Sequence, residues 1–313
     1  MKQFKPYLIL AFWLVGSLQV FAQQDHLYDT DGVGSYALNP ASIGTLNKLS
    51  ISNRMSFTPF DSQYTPTSFQ LNGAVKCLKF GDKDLPKIRG AVGLKSDYGR
   101  TWFIWRMGVA AQFNLQFDLG RSFLSIGLAP KIENVTYPSP YFGCVVLPAE
   151  YSIFPPKDYS RQNNWGLDAG VYWYNERFNL GFSTSNLLRQ NPEEYIYNSR
   201  LYHLHGSYER LLSRKFRLKG VLNSQANKNT VNISTMLYGI MGKRELTVGI
   251  GYNTDRNLIG GASIRMGGLY LGCFMRYNVS SFYYAKYSLE YRLAFELFDS
   301  ELRQFDASGN PAF

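Results

Sequence analysis

The sequence predicts an all-β fold: an outer-membrane antiparallel β-barrel of about 14 strands, with both termini periplasmic. Three observations predict it. Segments of roughly ten residues alternate in hydropathy with period two from residue 46 almost to the C-terminus. Large apolar residues occupy one face of nearly every segment, as a lipid-facing belt requires. The connections alternate in length, with tight turns at one end and longer loops at the other, a pattern in which the tight turns are periplasmic. A soluble sandwich would also alternate, because one face of each sheet packs inside. The apolar belt and the turn pattern separate the two folds. Closure follows from chemistry, since an open edge in hydrocarbon leaves backbone N–H and C=O groups unpaired.

Composition agrees. Aromatic residues make up 16% of the 313, including 23 Tyr and 22 Phe, while charged residues make up only 18%, low for a water-exposed surface. The formal net charge is +10. It is spread along the strands with no Lys/Arg-rich run, so the expected partner is outer-membrane lipid and no nucleic acid. Three cysteines cannot all pair. Cys77 and Cys273 fall in strands, where they read as small apolar side chains facing lipid, and Cys144 falls in a long loop.

Residues 1–22 read as an export signal peptide. Lys2 and Lys5 give the positive start, Tyr7 to Val15 the short apolar run, and Val20-Phe21-Ala22 the cleavage site. That run is too short for a spanning helix. Residues 23–45 form a polar periplasmic lead-in with Asp-Gly and Asn-Pro turn signals. The barrel occupies 46–297 and a tail occupies 298–313.

The alternation places the first five strands at 46–57, 67–79, 88–96, 102–117 and 121–136. The next five fall at 165–175, 177–188, 200–212, 215–226 and 229–241. The last four fall at 244–254, 257–267, 269–279 and 285–297. Boundaries of this kind carry an error of ~2–4 residues. The pattern is clearest in the last strand. There Tyr287, Leu289, Tyr291, Leu293 and Phe295 share one face, and Ser288, Glu290, Arg292 and Ala294 the other. Tight turns follow the even strands at Asp118-Leu119-Gly120, Asn175-Glu176, Ser213-Arg214, Gly242-Lys243 and Gly267-Gly268. The notable long loops, 58–66, 137–164 and 189–199, follow odd strands. Aromatic residues near strand ends, among them Trp102, Trp165, Tyr174 and Phe178, suit interfacial girdles.

Chemistry-bearing motifs are sparse. His203 and His205 stand two apart near Glu209, but no third ligand follows at a fixed spacing, so they read as lumen-lining polar residues and no metal site is expected. There is no G-x-S-x-G, P-loop, dinucleotide fingerprint or Cys-x-x-Cys, so neither an enzyme nor a cofactor is expected. The inward face carries Arg54, Arg89, Arg106, Arg265, Arg276 and Arg292 with Glu290 and other carboxylates. These charges could form an anion-selective or docking surface. A salt-bridged interior is favoured, because charges inside barrels pair. The loop 137–164 is unusually apolar, with Tyr141, Phe142, Val146, Tyr151 and Phe154. It reads either as a plug folded into the lumen or as a docking patch for a secreted partner.

The segment Tyr36…Asn39-Pro40-Ala41-Ser42-Ile43-Gly44 precedes the first strand. Asn39-Pro40 fixes an extended or turn conformation, and Asn39, Pro40, Ala41 and Gly44 read as a structural motif at the inner mouth or lower lumen wall. With Leu49-Ser50-Ile51-Ser52-Asn53-Arg54 and the close Ser288-Leu289-Glu290-Tyr291-Arg292-Leu293-Ala294-Phe295, this segment resembles the PorP/SprF family of type IX secretion outer-membrane proteins. The resemblance covers nearly the whole chain after the signal. It implies a non-enzymatic role in protein secretion and gliding motility: binding or anchoring the C-terminal domain of a secreted, adhesin-like surface protein. It also implies periplasmic type IX secretion or peptidoglycan-associated proteins as further partners. The competing expectation is a porin or transporter for small solutes.

Overall fold

A computed structural model describes residues 38–43, 45, 47–57, 67–80, 88–101, 104–136, 162–175, 177–189, 200–213, 215–227, 231–242, 245–254, 256–279 and 287–298. Fourteen strands run through them: β1 (Asn47–Phe57), β2 (Thr67–Phe80), β3 (Ile88–Thr101), β4 (Ile104–Asp118), β5 (Phe123–Thr136), β6 (Gln162–Tyr174) and β7 (Phe178–Arg189). They continue as β8 (Leu201–Ser213), β9 (Phe216–Ala226), β10 (Val231–Met241), β11 (Leu246–Asn253), β12 (Asn257–Met266), β13 (Leu269–Asn278) and β14 (Tyr287–Phe298). Each strand pairs antiparallel with its chain neighbours, and β1 pairs β14 from Asn47↔Phe298 to Phe57↔Leu289, which closes the barrel.

Side-chain placement is the reverse of that in a water-soluble protein. On β4, Val109, Phe113 and Leu115 point outward and are 45%, 49% and 48% exposed, while Gln112 and Gln116 point inward at 2% and 0%. The same parity gives Leu269, Leu271, Cys273 and Met275 to the outer face of β13 and Tyr270, Phe274 and Arg276 to the inner face. Apolar residues therefore face hydrocarbon, and polar groups satisfy one another inside.

The tight turns are built from local chemistry. Asp118 Oδ1 accepts the Gly120 amide at 2.9 Å, and Gly120 adopts φ 84°, a backbone state that favours glycine. Asn175 Oδ1 accepts the amides of Arg177 and Phe178 at 2.9 and 2.7 Å, an Asx turn. These turns share one end with Asn47 and Phe298, so that end is periplasmic.

Two expectations need correction. The third strand runs to Thr101 rather than ending near 96. Lys95, Ser96, Asp97 and Gly99 interrupt the apolar alternation, yet their backbone still pairs with β4 as far as Thr101↔Ile104. Tyr174 is not part of an aromatic girdle. Trp173 takes the outward position, and Tyr174 turns into the lumen with 2% exposure.

Inside, the walls β9, β10, β12 and β13 carry an apolar cluster of Val221, Met236, Tyr238, Ile259 and Phe274. The Tyr238 and Phe274 rings meet edge-on at 6.4 Å, a favourable aromatic geometry. The β4–β7 side of the lumen is filled differently.

Candidate functional site

Residues 38–43 lie in the lumen and dock on its lower wall. Pro40–Ser42 form one 3₁₀ turn. Asn39, the residue before the proline, is extended at φ −130°, ψ 107°. Its Oδ1 accepts the Ala41 amide at 2.9 Å, and its carbonyl accepts the Ser42 amide at 3.0 Å and the Ser42 hydroxyl at 2.9 Å. Its Nδ2 reaches outward and donates to the backbone carbonyls of Val171 and Phe182 at 3.1 and 3.4 Å. One amide side chain thus folds the turn and ties it to β6 and β7. A carboxylate has no hydrogen to donate, and a hydroxyl has one where two carbonyls are reached.

The barrel supplies the matching groups. Asn114 Nδ2 donates to the carbonyls of Ala41 and Ile43 at 3.0 and 2.6 Å. Ser125 Oγ donates to Ala41 at 2.6 Å, Gln116 Nε2 to Ile43 at 3.1 Å, and Ser183 Oγ to Leu38 at 2.8 Å. The Tyr174 hydroxyl lies 3.3 Å from the Thr45 carbonyl and 3.2 Å from Gln116 Oε1. Asn39, Pro40, Ala41, Ser42 and Ile43 are all buried. The short peg approaches the wall closely because the wall is shaved there. A Cβ on Gly127 would sit 2.3 Å from the Ala41 nitrogen, and one on Gly170 would sit 2.1 Å from Asn39 Oδ1. Gly127 and Gly170 are direct cross-strand partners, so together they make one flat spot beneath the turn.

The lumen charges form compact groups. Glu290 binds both Arg276 Nη2, at 3.1 Å, and Arg292 Nε, at 2.5 Å. The Arg292 guanidinium also lies 4.0 Å from the centre of the Phe274 ring. Arg265 lies 3.4 Å from Glu245, whose other oxygen is 2.9 Å from Arg217, and Arg217 in turn pairs with Glu209 at 2.8 Å. Lys131 pairs with Asp168 at 3.1 Å. For Arg54 and Arg106 the structure describes backbone only: Arg54 is in register with Arg292, and Arg106 with Gly99 and Val135.

His203 and His205 point inward beside the peg. His205 Nδ1 lies 2.5 Å from Asn223 Oδ1, and His203 Nε2 lies 3.5 Å from Ser185 Oγ. They line a cavity of about 20 Å³ together with Leu38, Asn39, Tyr172 and Ser183, room for about one water molecule. Among the described residues no group of three metal-ligating side chains occurs. Gly44 and the loop residues Tyr141, Phe142, Val146, Tyr151 and Phe154 lie outside the described residues. Sequence reasoning missed the receiving side of the peg. Its signal was small or amide residues at inward positions on four consecutive strands: Asn114, Ser125, Gly127, Gly170, Gly181 and Ser183.

The family model described as "Type IX secretion system membrane protein PorP/SprF" matches residues 20–295. The chain belongs to the PorP/SprF family. It is therefore a type IX secretion outer-membrane β-barrel. Among curated proteins none matches this PorP/SprF chain. It is similar to solved structures. The toluene transporter TbuX of Ralstonia pickettii aligns at 7% identity and TM-score 0.51, over 86% of this chain and 94% of that one. A TodX deletion mutant, described as a monoaromatic hydrocarbon channel, aligns at 8% and 0.47 over 84% and 92%. BamA from Haemophilus ducreyi lacking POTRA domains 1–3 aligns at 9% and 0.45 over 80% and 70%. At such identities the likeness to TbuX speaks for the barrel fold alone.

Proposed function

We propose that this PorP/SprF barrel is a binding platform rather than a solute conduit or an enzyme. It holds the C-terminal domain of a secreted, adhesin-like protein at the cell surface, and its periplasmic side meets type IX secretion or peptidoglycan-associated proteins. The observation that carries this reading is what stands on the inner wall. A hydrogen-bonded peg lies on one side, an apolar cluster on the other, and buried inward-facing charges are paired with one another. A conducting lumen would keep a water-lined path, as porins do. Contact with the secreted partner is assigned to the apolar extracellular loop carrying Tyr141, Phe142, Val146, Tyr151 and Phe154.

Affinity purification in gentle detergent followed by mass spectrometry tests the reading. A large exported protein should be recovered with the barrel. Deleting residues 140–158 should abolish that recovery and leave small-solute permeability unchanged. A barrel that purifies alone and conducts in planar bilayers would overturn the proposal in favour of a transporter.

A further inference from the structure

Among the described residues most lumen cations stand beside a carboxylate, and Arg89 stands apart. Lys95, Lys131, Arg217, Arg265, Arg276 and Arg292 each stand within 4.0 Å of a carboxylate. Arg89 does not. It is the second residue of β3, at the periplasmic end of the barrel, and it is only 5% exposed. Its Nε and Nη1 have no hydrogen-bond partner among the described residues. Its guanidinium lies 5.3 Å from the centre of the Phe123 ring. A ring covers one face of a guanidinium and leaves the in-plane N–H groups free to bond. Burying an unpaired cation is unfavourable, and a guanidinium cannot escape by giving up its proton.

We propose that Arg89 is the core of an oxyanion site just inside the periplasmic mouth, beneath the peg. Its ligand is a carboxylate or phosphate group that accepts from Nε and Nη1 of Arg89 and offsets the charge of its guanidinium. Phe123 holds the fork in place from one side and itself stacks on Tyr174 at 5.2 Å. Tyr174 hydrogen-bonds the peg at Thr45, so occupancy of the site and seating of the peg share one aromatic support. The site faces the lumen, which excludes headgroups of the surrounding bilayer. Its ligand arrives from the periplasm, either as a free anion or as an acidic side chain of a protein.

The test uses the full-length barrel in detergent micelles at constant ionic strength, titrated with inorganic phosphate, with acetate, and with chloride as control. Phosphate or acetate should raise the thermal midpoint saturably in the native protein. Arg89→Met should abolish that rise while matching or exceeding the native midpoint in chloride. A response to both anions supports a carboxylate-accepting site suited to an acidic polypeptide. A response to phosphate alone supports a free phosphate ligand. A rise of equal size in Arg89→Met would mean an adventitious ion only and would overturn the site, as would no response in the native barrel. Should Arg89→Met not fold, the ¹⁵N-labelled Nε–H resonance of Arg89 in the native protein decides. It must shift saturably with the oxyanion and not with chloride.

Discussion

Asn39 shows how much a single side chain can carry. Its oxygen shapes the turn through the Ala41 amide, and its nitrogen ties that turn to Val171 and Phe182, more than 130 residues away in sequence. Asn39→Ala removes all of these bonds and leaves the buried Ala41 amide without its side-chain acceptor. It should lower the stability of the folded barrel by about 1–3 kcal/mol, read from the urea midpoint in lipid vesicles. Asn39→Asp is the sharper probe. It keeps the acceptor for Ala41 but places a negative charge against two carbonyl oxygens. It should be at least as damaging as alanine; a harmless Asn39→Asp would mean that the Nδ2 bonds contribute little. Glu290 is the matching case among the charges. It neutralises Arg276 and Arg292 together. Glu290→Gln should destabilise by about 3–5 kcal/mol, because the two buried cations lose the carboxylate that they share. The same midpoint measurement checks it, and a loss below about 1 kcal/mol would put the pair in the class of solvent-screened bridges.

At the scale of elements, the strands were legible because period two survives even where composition is poor. β14 shows it without interruption, and its pairing with β1 closes the sheet. The end of β3 was not legible, because Lys95 to Gly99 lose the apolar face while their backbone remains in the ladder with β4. The motif before β1 could be read from Asn39-Pro40. Its landing site could not, because Asn114, Ser125 and Ser183 are brought to it only by closure of the barrel. β7 carries another feature hidden from the sequence. The β6–β7 register shifts between Leu167 and Ala169, and across the shift Asn186 takes φ 60°. Asp168 Oδ1 accepts the Asn186 amide at 2.9 Å and the carboxylate also pairs with Lys131. The bulge is thus held by a side chain rather than by the ladder. Asp168→Ala should speed hydrogen exchange at the Asn186 amide much more than Asp168→Asn, which keeps an acceptor oxygen. Equal exchange in the two variants would show that the bulge stands without its cap.

For the whole molecule the question is whether the contents of the lumen close it. The peg and the Tyr238–Phe274 cluster line different walls, so either could be the seal. The two are held differently. The cluster is made of side chains belonging to the barrel strands themselves, and Gly127 of the peg's seat lies in a strand laddered on both sides by β4 and β6. The peg lies outside the strand ladder and is held by hydrogen bonds and by the packing of Ala41 on Tyr172 and Tyr174 and of Ile43 on Ala91, so it yields first when space is taken from it. Gly127→Val takes that space, since its Cβ alone would come 2.3 Å from the Ala41 nitrogen and 2.4 Å from the Pro40 carbonyl carbon. The native barrel should show little conductance in a planar bilayer, and Gly127→Val should show discrete openings with the strand content unchanged by circular dichroism. Asn39→Asp should reproduce those openings without touching the wall, which separates loss of the peg from damage to β5. A Gly127→Val barrel that stays closed while its peg becomes reactive, for instance through a cysteine placed at Ala41, would put the seal in the apolar cluster. Opening in both variants would make the peg the gate, and the binding platform would then have a lumen that its periplasmic partners could unlock.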